Sequence, residues 1–382
     1  MKRTKYILFA LISLSVIGGC SKFSDFGDTN VNPNATGSPI TRALFTNVEA
    51  QLGATAAMTR PGLYAQYFSE TQYTDVSIYS NPILNFSGEY SGAMNDLKNI
   101  INVNESVNQS AAAQILLQYL FWTITDRWGD VPYSEALQGK IAAKYDKQED
   151  IYKGMISALT AAVAQFNNTS LIQGDVIYNG DVAKWKKLAN SLRMMMAIQL
   201  SKRFPGASDY AATQFKAALN DPAGYIATNA DNFTLTYPAN FLNPWYNTYN
   251  GRKDFGESPV VINLLNGFGD ARQSVYGTSS VGVPFGLLRA KAEAFTGANP
   301  TWSYILQPSF REIGDPVVIL SAAQVTLARA EAADYGWTSE ALATVYQTGI
   351  NLSFQEWGLP APDASYFAKA DVALTGAAGT GA

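Results

Sequence analysis

The sequence predicts a mainly α fold of tetratricopeptide-like helix pairs, with long irregular aromatic-rich loops and a little β structure. Three observations lead there. Apolar residues recur at steps of three and four in several stretches that begin with cap residues and end with Gly or Pro, the pattern of helices with one buried face. Those stretches come in neighbouring pairs joined by short turns, and such pairs bury their faces on the next pair. Their spacing is too irregular for periodicity alone to fix that packing. Between residues 223 and 315 the helical period is lost and Pro, Gly, Asn and aromatics dominate.

Composition bounds the function classes. At 382 residues the chain can bury one large core or two smaller ones, and 47% hydrophobic with 15% charged residues is an ordinary globular balance. The 21 Tyr, 19 Phe and 7 Trp suit stacking on ligands, although most must be core. The formal charge is −4; setting aside Lys2, Arg3 and Lys5 of the first 19 residues leaves −7. No Lys/Arg cluster is visible, which argues against nucleic acid as a partner. The absence of histidine removes Ser-His-Asp and Cys-His catalysis and histidine-ligated zinc. The single cysteine, Cys20, allows no intrachain disulfide and no thiolate metal cluster.

The N-terminus accounts for that cysteine. A basic start is followed by an apolar run over residues 6–17, too short for a comfortable membrane span, and by Gly18-Gly19-Cys20. This is the pattern of a bacterial lipoprotein signal, with residues 1–19 removed and Cys20 lipidated. Residues 21–37 read as a polar tether. Asp28, Asn30 and Asn32 resemble the opening of a calcium loop, but Pro33 and Pro39 stand where glycine and glutamate are needed, so a turn-rich linker is expected.

The domain then runs over residues 38–382. Pro39 suits a first helical turn, with Ile40, Ala43, Leu44, Val48 and Leu52 on one face. A short helix is expected at 63–68. Residues 71–86, with Tyr73, Tyr79, Asn81, Pro82 and Asn85, show no sustained period and read as a long loop, of the size that is usually functional or disordered. Tyr90, Met94, Leu97 and Ile101 form a helix that pairs with the next. In that one, Ser110 is the expected cap, Ala113, Leu117, Leu120, Phe121, Ile124 and Trp128 the buried face, and Gly129 with Pro132 the stop. The turn Gly129-Asp130-Val131-Pro132-Tyr133 reads first as a packing and capping device.

Further helices follow. Asp146-x-x-Glu149 is a plausible capping box before Ile151, Met155 and Leu159. Asp181 opens a helix through Trp185, Leu188 and Leu192 to about Arg203, in which Met194, Met195 and Met196 are gap-filling core. A short helix is expected over 210–219. Residues 233–237 alternate like a strand. Residues 243–252 carry Trp245, Tyr246, Tyr249 and Arg252 among amides in an irregular stretch. Such rings and polar groups could form a carbohydrate platform or hold a peptide; equally, the rings could tuck back onto the core. Ser321-x-x-Gln324 can cap a helix to residue 335, and Ser339 opens the last clear helix through Leu342, Val345 and Ile350.

Four motifs, in order, carry a family resemblance. The run Thr125-Asp126-Arg127-Trp128-Gly129-Asp130-Val131-Pro132-Tyr133-Ser134-Glu135-Ala136 resembles the SusD/RagB-like nutrient-binding lipoproteins of the Bacteroidota outer membrane. So do Asn30-Val31-Asn32-Pro33-Asn34 after the lipid cysteine, residues 183–193, and residues 316–332. The resemblance implies a surface-exposed outer-membrane lipoprotein that sits as a lid on a SusC-like TonB-dependent transporter. It would capture oligosaccharides, or peptides as some relatives do, with no enzyme activity, cofactor or metal. The family's ligand contacts come from variable loops, so no binding residue transfers by motif. The candidates Tyr73, Tyr79, Asn81, Trp245, Tyr246, Tyr249 and Arg252 rest on composition and loop placement. Family members continue beyond the equivalent of residue 358 with further helices, so the chain reads as shortened.

A rival reading is a lipoprotein glycosidase using paired carboxylates, with Asp126 and Asp130, or Glu331 and Asp334, as available pairs. These acids lie on or beside helices, where capping and solvated roles are commoner.

Overall fold

A computed structural model describes residues 39–80, 84–238 and 241–374. Cys20, the tether and Asn81 lie outside the described residues. Contacts divide the chain after Ile40, with Thr41–Ala382 as one unit.

In α1 (Thr41–Ala56), Phe45, Val48 and Leu52 recur at steps of three and four and are buried. The short helix expected at 63–68 instead spans Thr59–Tyr64 (α2), because Gln66 takes a left-handed φ of 58° and turns the chain into strand β1 (Phe68–Glu70). The expected single helix around Tyr90–Ile101 is broken at Gly92 into α3 (Ser87–Ser91) and α4 (Ala93–Val103). The long helix α5 (Val107–Trp128) opens earlier than Ser110: the Ser106 hydroxyl accepts from the Gln109 N–H, while Ser110 lies inside the helix and donates to Asn104 Oδ1. Gly129, at φ 73°, ends it.

The start of α6 (Gln148–Gln165) also departs from expectation. Lys147 occupies the cap position, and the Gln148 N–H donates to Asp130 Oδ1 from across the preceding turn (2.8 Å). Asp146 is occupied elsewhere. Burial opposes its charge, but the N–H groups of Ser134 and Tyr133 and the Ser134 hydroxyl outweigh that and hold its carboxyl below the usual range. Asp181 does cap α7 (Val182–Gln199), and α8 (Tyr210–Leu219) follows as expected.

Strand β2 (Phe233–Leu235) leads into the region that shows no helical period, yet this holds α9 (Pro244–Tyr249), β3 (Phe255–Glu257), α10 (Pro259–Phe268), α11 (Gln273–Tyr276) and α12 (Arg289–Ala298). Asn243 and Ser258 cap α9 and α10, each with Pro at the first helical position. Strand β4 (Val317–Leu320) pairs antiparallel with β2 and hands over to α13 (Ala322–Asp334), opened by the Ser321–Gln324 capping box. Ser339 does not cap α14 (Leu342–Glu356); Ala341 stands at that position without a side-chain bond. The short α15 (Ala364–Phe367) follows Asp363.

The helices pack as a succession of pairs: α4 on α5, α5 on α6, α6 on α7, α7 on α8, and α13 on α14 and back onto α7. Between them lies the main core. Trp185 is fully buried there, with ring centroids of Tyr178, Phe45 and Phe233 at 5.5, 5.8 and 6.3 Å. Of the three methionines expected there, Met194 and Met196 fill it, while Met195 is only partly buried against it. The Gly129–Tyr133 turn is a packing device: Tyr90 Oη donates to Pro132 O (2.7 Å), and Tyr133 lies edge-on to Phe121 with its hydroxyl on Gln118 Oε1. A smaller core of Ile350, Phe354, Tyr366 and Val372 sits under α14 and α15.

Candidate binding site

The site is organised by a ladder that no local pattern announces. Strand β1 pairs antiparallel with β3, Phe68 opposite Glu257 and Glu70 opposite Phe255. Further bonds extend it: the Thr71 backbone N–H and its hydroxyl donate to Asp254 O (2.9 Å) and Lys253 O (2.6 Å), and Gln72 Nε2 donates to Asp254 Oδ1. Two aromatic segments far apart in the chain, residues 71–80 and 244–252, are thereby held side by side. The first is closed at its base by the Ser77 N–H donating to the buried Glu70 Oε2 (2.8 Å).

Tyr73, half exposed at 49%, has the guanidinium carbons of Arg252 and Arg289 at 5.2 and 5.1 Å from its ring centroid. Arg252 is bound through Nε and Nη2 to Asp254 Oδ2, so its position follows from the ladder. Tyr79, 51% exposed, takes a left-handed φ of 55° that L side chains seldom adopt, and its ring stacks on Tyr64 at 5.5 Å and 21°. Tyr67, on the same approach to β1, is 54% exposed. Trp245 is partly buried against the main core and edge-on to Phe68 (5.9 Å). Tyr246 is partly buried and, among the described residues, lies in none of the ring pairs.

Tyr249 turns inward. Its hydroxyl donates to Phe255 O (2.9 Å) and accepts from the Ile305 N–H (2.8 Å), and burial raises its pKa. The stretch around it is a capped helix in which Trp245 and Tyr249, four residues apart, share an inward face and Tyr246 leaves from another, so the three aromatics do not form one exposed platform. The sequence reading missed Tyr64, Arg289 and Tyr304. Tyr64 shares the short 59–67 segment with Arg60 and Tyr67, a local concentration that could have flagged it; Arg289 reaches Tyr73 only through tertiary structure.

Behind the ladder, Glu257 is buried and its carboxyl accepts from Ser303 Oγ (2.8 Å) and Gln273 Nε2 (2.9 Å). Burial, opposed by those bonds, pushes its pKa up to about 7. Of the acids considered for a glycosidase, Asp126 accepts from the Tyr152 hydroxyl and Asp130 caps α6, while Glu331 is raised by burial and then by Asp334 beside it. Among the described residues no group of three metal-ligating side chains could hold a metal ion.

The comparisons bear on this architecture. A family model, SusD-like_2, described as "Starch-binding associating with outer membrane", matches residues 33–381. The chain is similar to the solved structure of a chitin-binding protein, with 25% identity and a TM-score of 0.72 over 86% of this chain and 78% of that one. It is similar to a SusD homologue from Bacteroides uniformis, with 25% identity and a TM-score of 0.73 over 87% and 74%. It shares the fold of a chitin-binding SusD homologue from Flavobacterium johnsoniae, with 22% identity and a TM-score of 0.74 over 86% and 73%. No curated protein matches.

Proposed function

The chain belongs to the SusD-like family, and from that membership we propose that it captures an oligosaccharide on the surface formed by residues 71–80 and 244–252 and delivers it, without chemistry, to a SusC-like TonB-dependent transporter. The observation that carries the reading is the β1–β3 ladder, which sets Tyr73 beside Arg252 from a segment remote in sequence. Exposed tyrosine rings give flat apolar faces for the C–H faces of sugar rings, and guanidinium N–H groups bond hydroxyls. In this reading Tyr73, Tyr79 and Arg252 touch the ligand, Tyr246 borders it, and Trp245 and Tyr249 hold the surface from beneath.

The family description and the chitin-binding neighbour favour carbohydrate over peptide. Lipidation of Cys20, after removal of residues 1–19, would place the protein at the outer membrane. Among the described residues no helix is long and apolar enough to cross a membrane.

Calorimetric titration of the full chain in detergent with malto- and chito-oligosaccharides tests the proposal. Tyr73→Ala and Tyr79→Ala are expected to weaken binding by about tenfold each, the loss typical of a truncated aromatic anchor. Mass spectrometry of the titrated sugar should show it uncleaved. Cleavage, or binding of peptides alone, overturns the proposal.

A further inference from the structure

We propose that Lys253 and Arg311 form an anion subsite beside this surface, so that the favoured ligand is an oligosaccharide bearing carboxylate or sulfate groups. The inference rests on the oligosaccharide reading and narrows its substrate class. It starts from charge pairing. Arg252 and Arg289, next to Tyr73, are ion-paired with Asp254 and Glu293. Arg127, Arg193, Arg272 and Arg329 also have carboxylate partners. Arg311 and Lys253 have none among the described residues.

Arg311 is only partly exposed. Its Nε donates to Leu306 O (3.0 Å), which leaves the N–H groups of both terminal nitrogens for another acceptor. Burial lowers its pKa, and only the hydroxyls of Tyr249 and Tyr304 work the other way. A guanidinium held from water without a counter-charge is costly, and an incoming anion removes that cost.

The geometry is fixed from below. Arg311 Cζ lies 4.2 Å from the ring centroid of Tyr249, whose hydroxyl is clamped between Phe255 O and Ile305 N. The Tyr304 ring takes both cations, Arg311 Cζ at 5.9 Å and Lys253 Nζ at 5.5 Å. Leu306, which accepts from Arg311, has a left-handed φ of 59°, and such conformations persist where surrounding structure holds them. Residues 252 and 253 are successive in the stretch entering β3. Arg252 goes to Tyr73 and Lys253 to Tyr304. A sugar chain lying across this stretch would meet the Tyr73 surface first and the uncompensated cations next.

The test titrates the full chain in detergent with tetragalacturonate (carboxylate), a κ-carrageenan tetrasaccharide (sulfate), methyl-esterified tetragalacturonate, and hexaglutamate. At least one acidic sugar should bind about tenfold or more tightly than the neutral ester, as a charge-assisted contact implies; which one does so separates the two sources of charge. Lys253→Gln should remove most of that preference, and Arg311→Lys should weaken it while keeping the charge. Lys253 is exposed, so its variant reports even where Arg311→Lys disturbs folding. Equal binding of acid and ester overturns the anion subsite and leaves the oligosaccharide reading standing. Binding of hexaglutamate alone, or of no sugar, overturns both.

Discussion

Glu49 lies fully buried on α1 beside the Asp175 carboxylate. Asp175 accepts from the N–H groups of Ile177, Tyr178 and Gly180 and from Trp185 Nε1. Glu49 Oε2 accepts from the Val176 N–H (2.6 Å), but Oε1 meets no donor. Burial first, and then the charge on Asp175, push the Glu49 pKa up to about 10 from 4.5. The folded chain therefore keeps a proton that the unfolded chain loses above about pH 4.5, so stability falls as pH rises across that window. Glu49→Gln keeps the shape and the acceptor for Val176 and supplies a permanent donor. In urea unfolding the variant should match the wild type near pH 4.5 and exceed it progressively towards pH 8, the gap growing by at most about 1.4 kcal/mol per pH unit. Parallel pH profiles would show that Glu49 is ionised in the fold.

At the level of elements, the approach of α2 to β1 decides whether the candidate site is assembled. A Cβ on Gly62 would stand 2.3 Å from the Phe68 ring, which is itself edge-on to Trp245. Gly62→Ala must displace that ring, and through it the first pair of the β1–β3 ladder; overpacking of this kind costs about 1–3 kcal/mol. Gly88 in α3 is the matched control, since a Cβ there meets nothing within 4 Å. Gly88→Ala should be neutral or stabilising by up to about 1 kcal/mol. Melting temperatures of the two variants, with the affinity for whichever sugar binds, check the argument: Gly62→Ala should lose both stability and binding, Gly88→Ala neither.

The same elements show what sequence could and could not reveal. Helices whose start signal lies next to them were readable: Asp181 before α7, and the Ser321–Gln324 box before α13. The start of α6 was misread because its cap, Asp130, comes from across a turn. Asn243-Pro244 and Ser258-Pro259 were available cap-and-Pro signals for α9 and α10, hidden by the surrounding Gly, Asn and aromatics. Three-residue strands are too short to alternate, and nothing local pairs Phe68 with Glu257. Hence Tyr73 and Arg252 could be chosen by type and loop placement, whereas their mutual contact, the inward turn of Tyr249 and the part played by Arg289 follow only from the ladder.

Across the whole molecule, cohesion is uneven. The main core runs continuously from α1 through α8 to α13, whereas Ile350, Phe354, Tyr366 and Val372 form a small separate cluster. Beside its apolar neighbours, polar contacts tie that cluster down: Tyr366 Oη donates to Asp270 Oδ2 (2.7 Å), and Arg272 binds the same carboxylate, donates to Ser353 Oγ (2.9 Å) and lies over the Phe354 ring (4.8 Å). The four-residue helix α15, held through Tyr366 and its bond to Asp270, makes a unit that opens at low free energy. In native-state hydrogen exchange the amides of Tyr366, Ala368 and Val372 should therefore exchange well before those in the middle of α5 and α7. Tyr366→Ala removes both the ring and the bond to Asp270, and should speed exchange over residues 364–373 and at the N-terminus of α11 while leaving α5 and α7 unchanged. Because Tyr73 is tied to β3 and Asp254, outside this cluster, sugar binding should survive that substitution. Faster exchange throughout α5 and α7 would mean that the two cores open together, and the separation drawn from packing would fail.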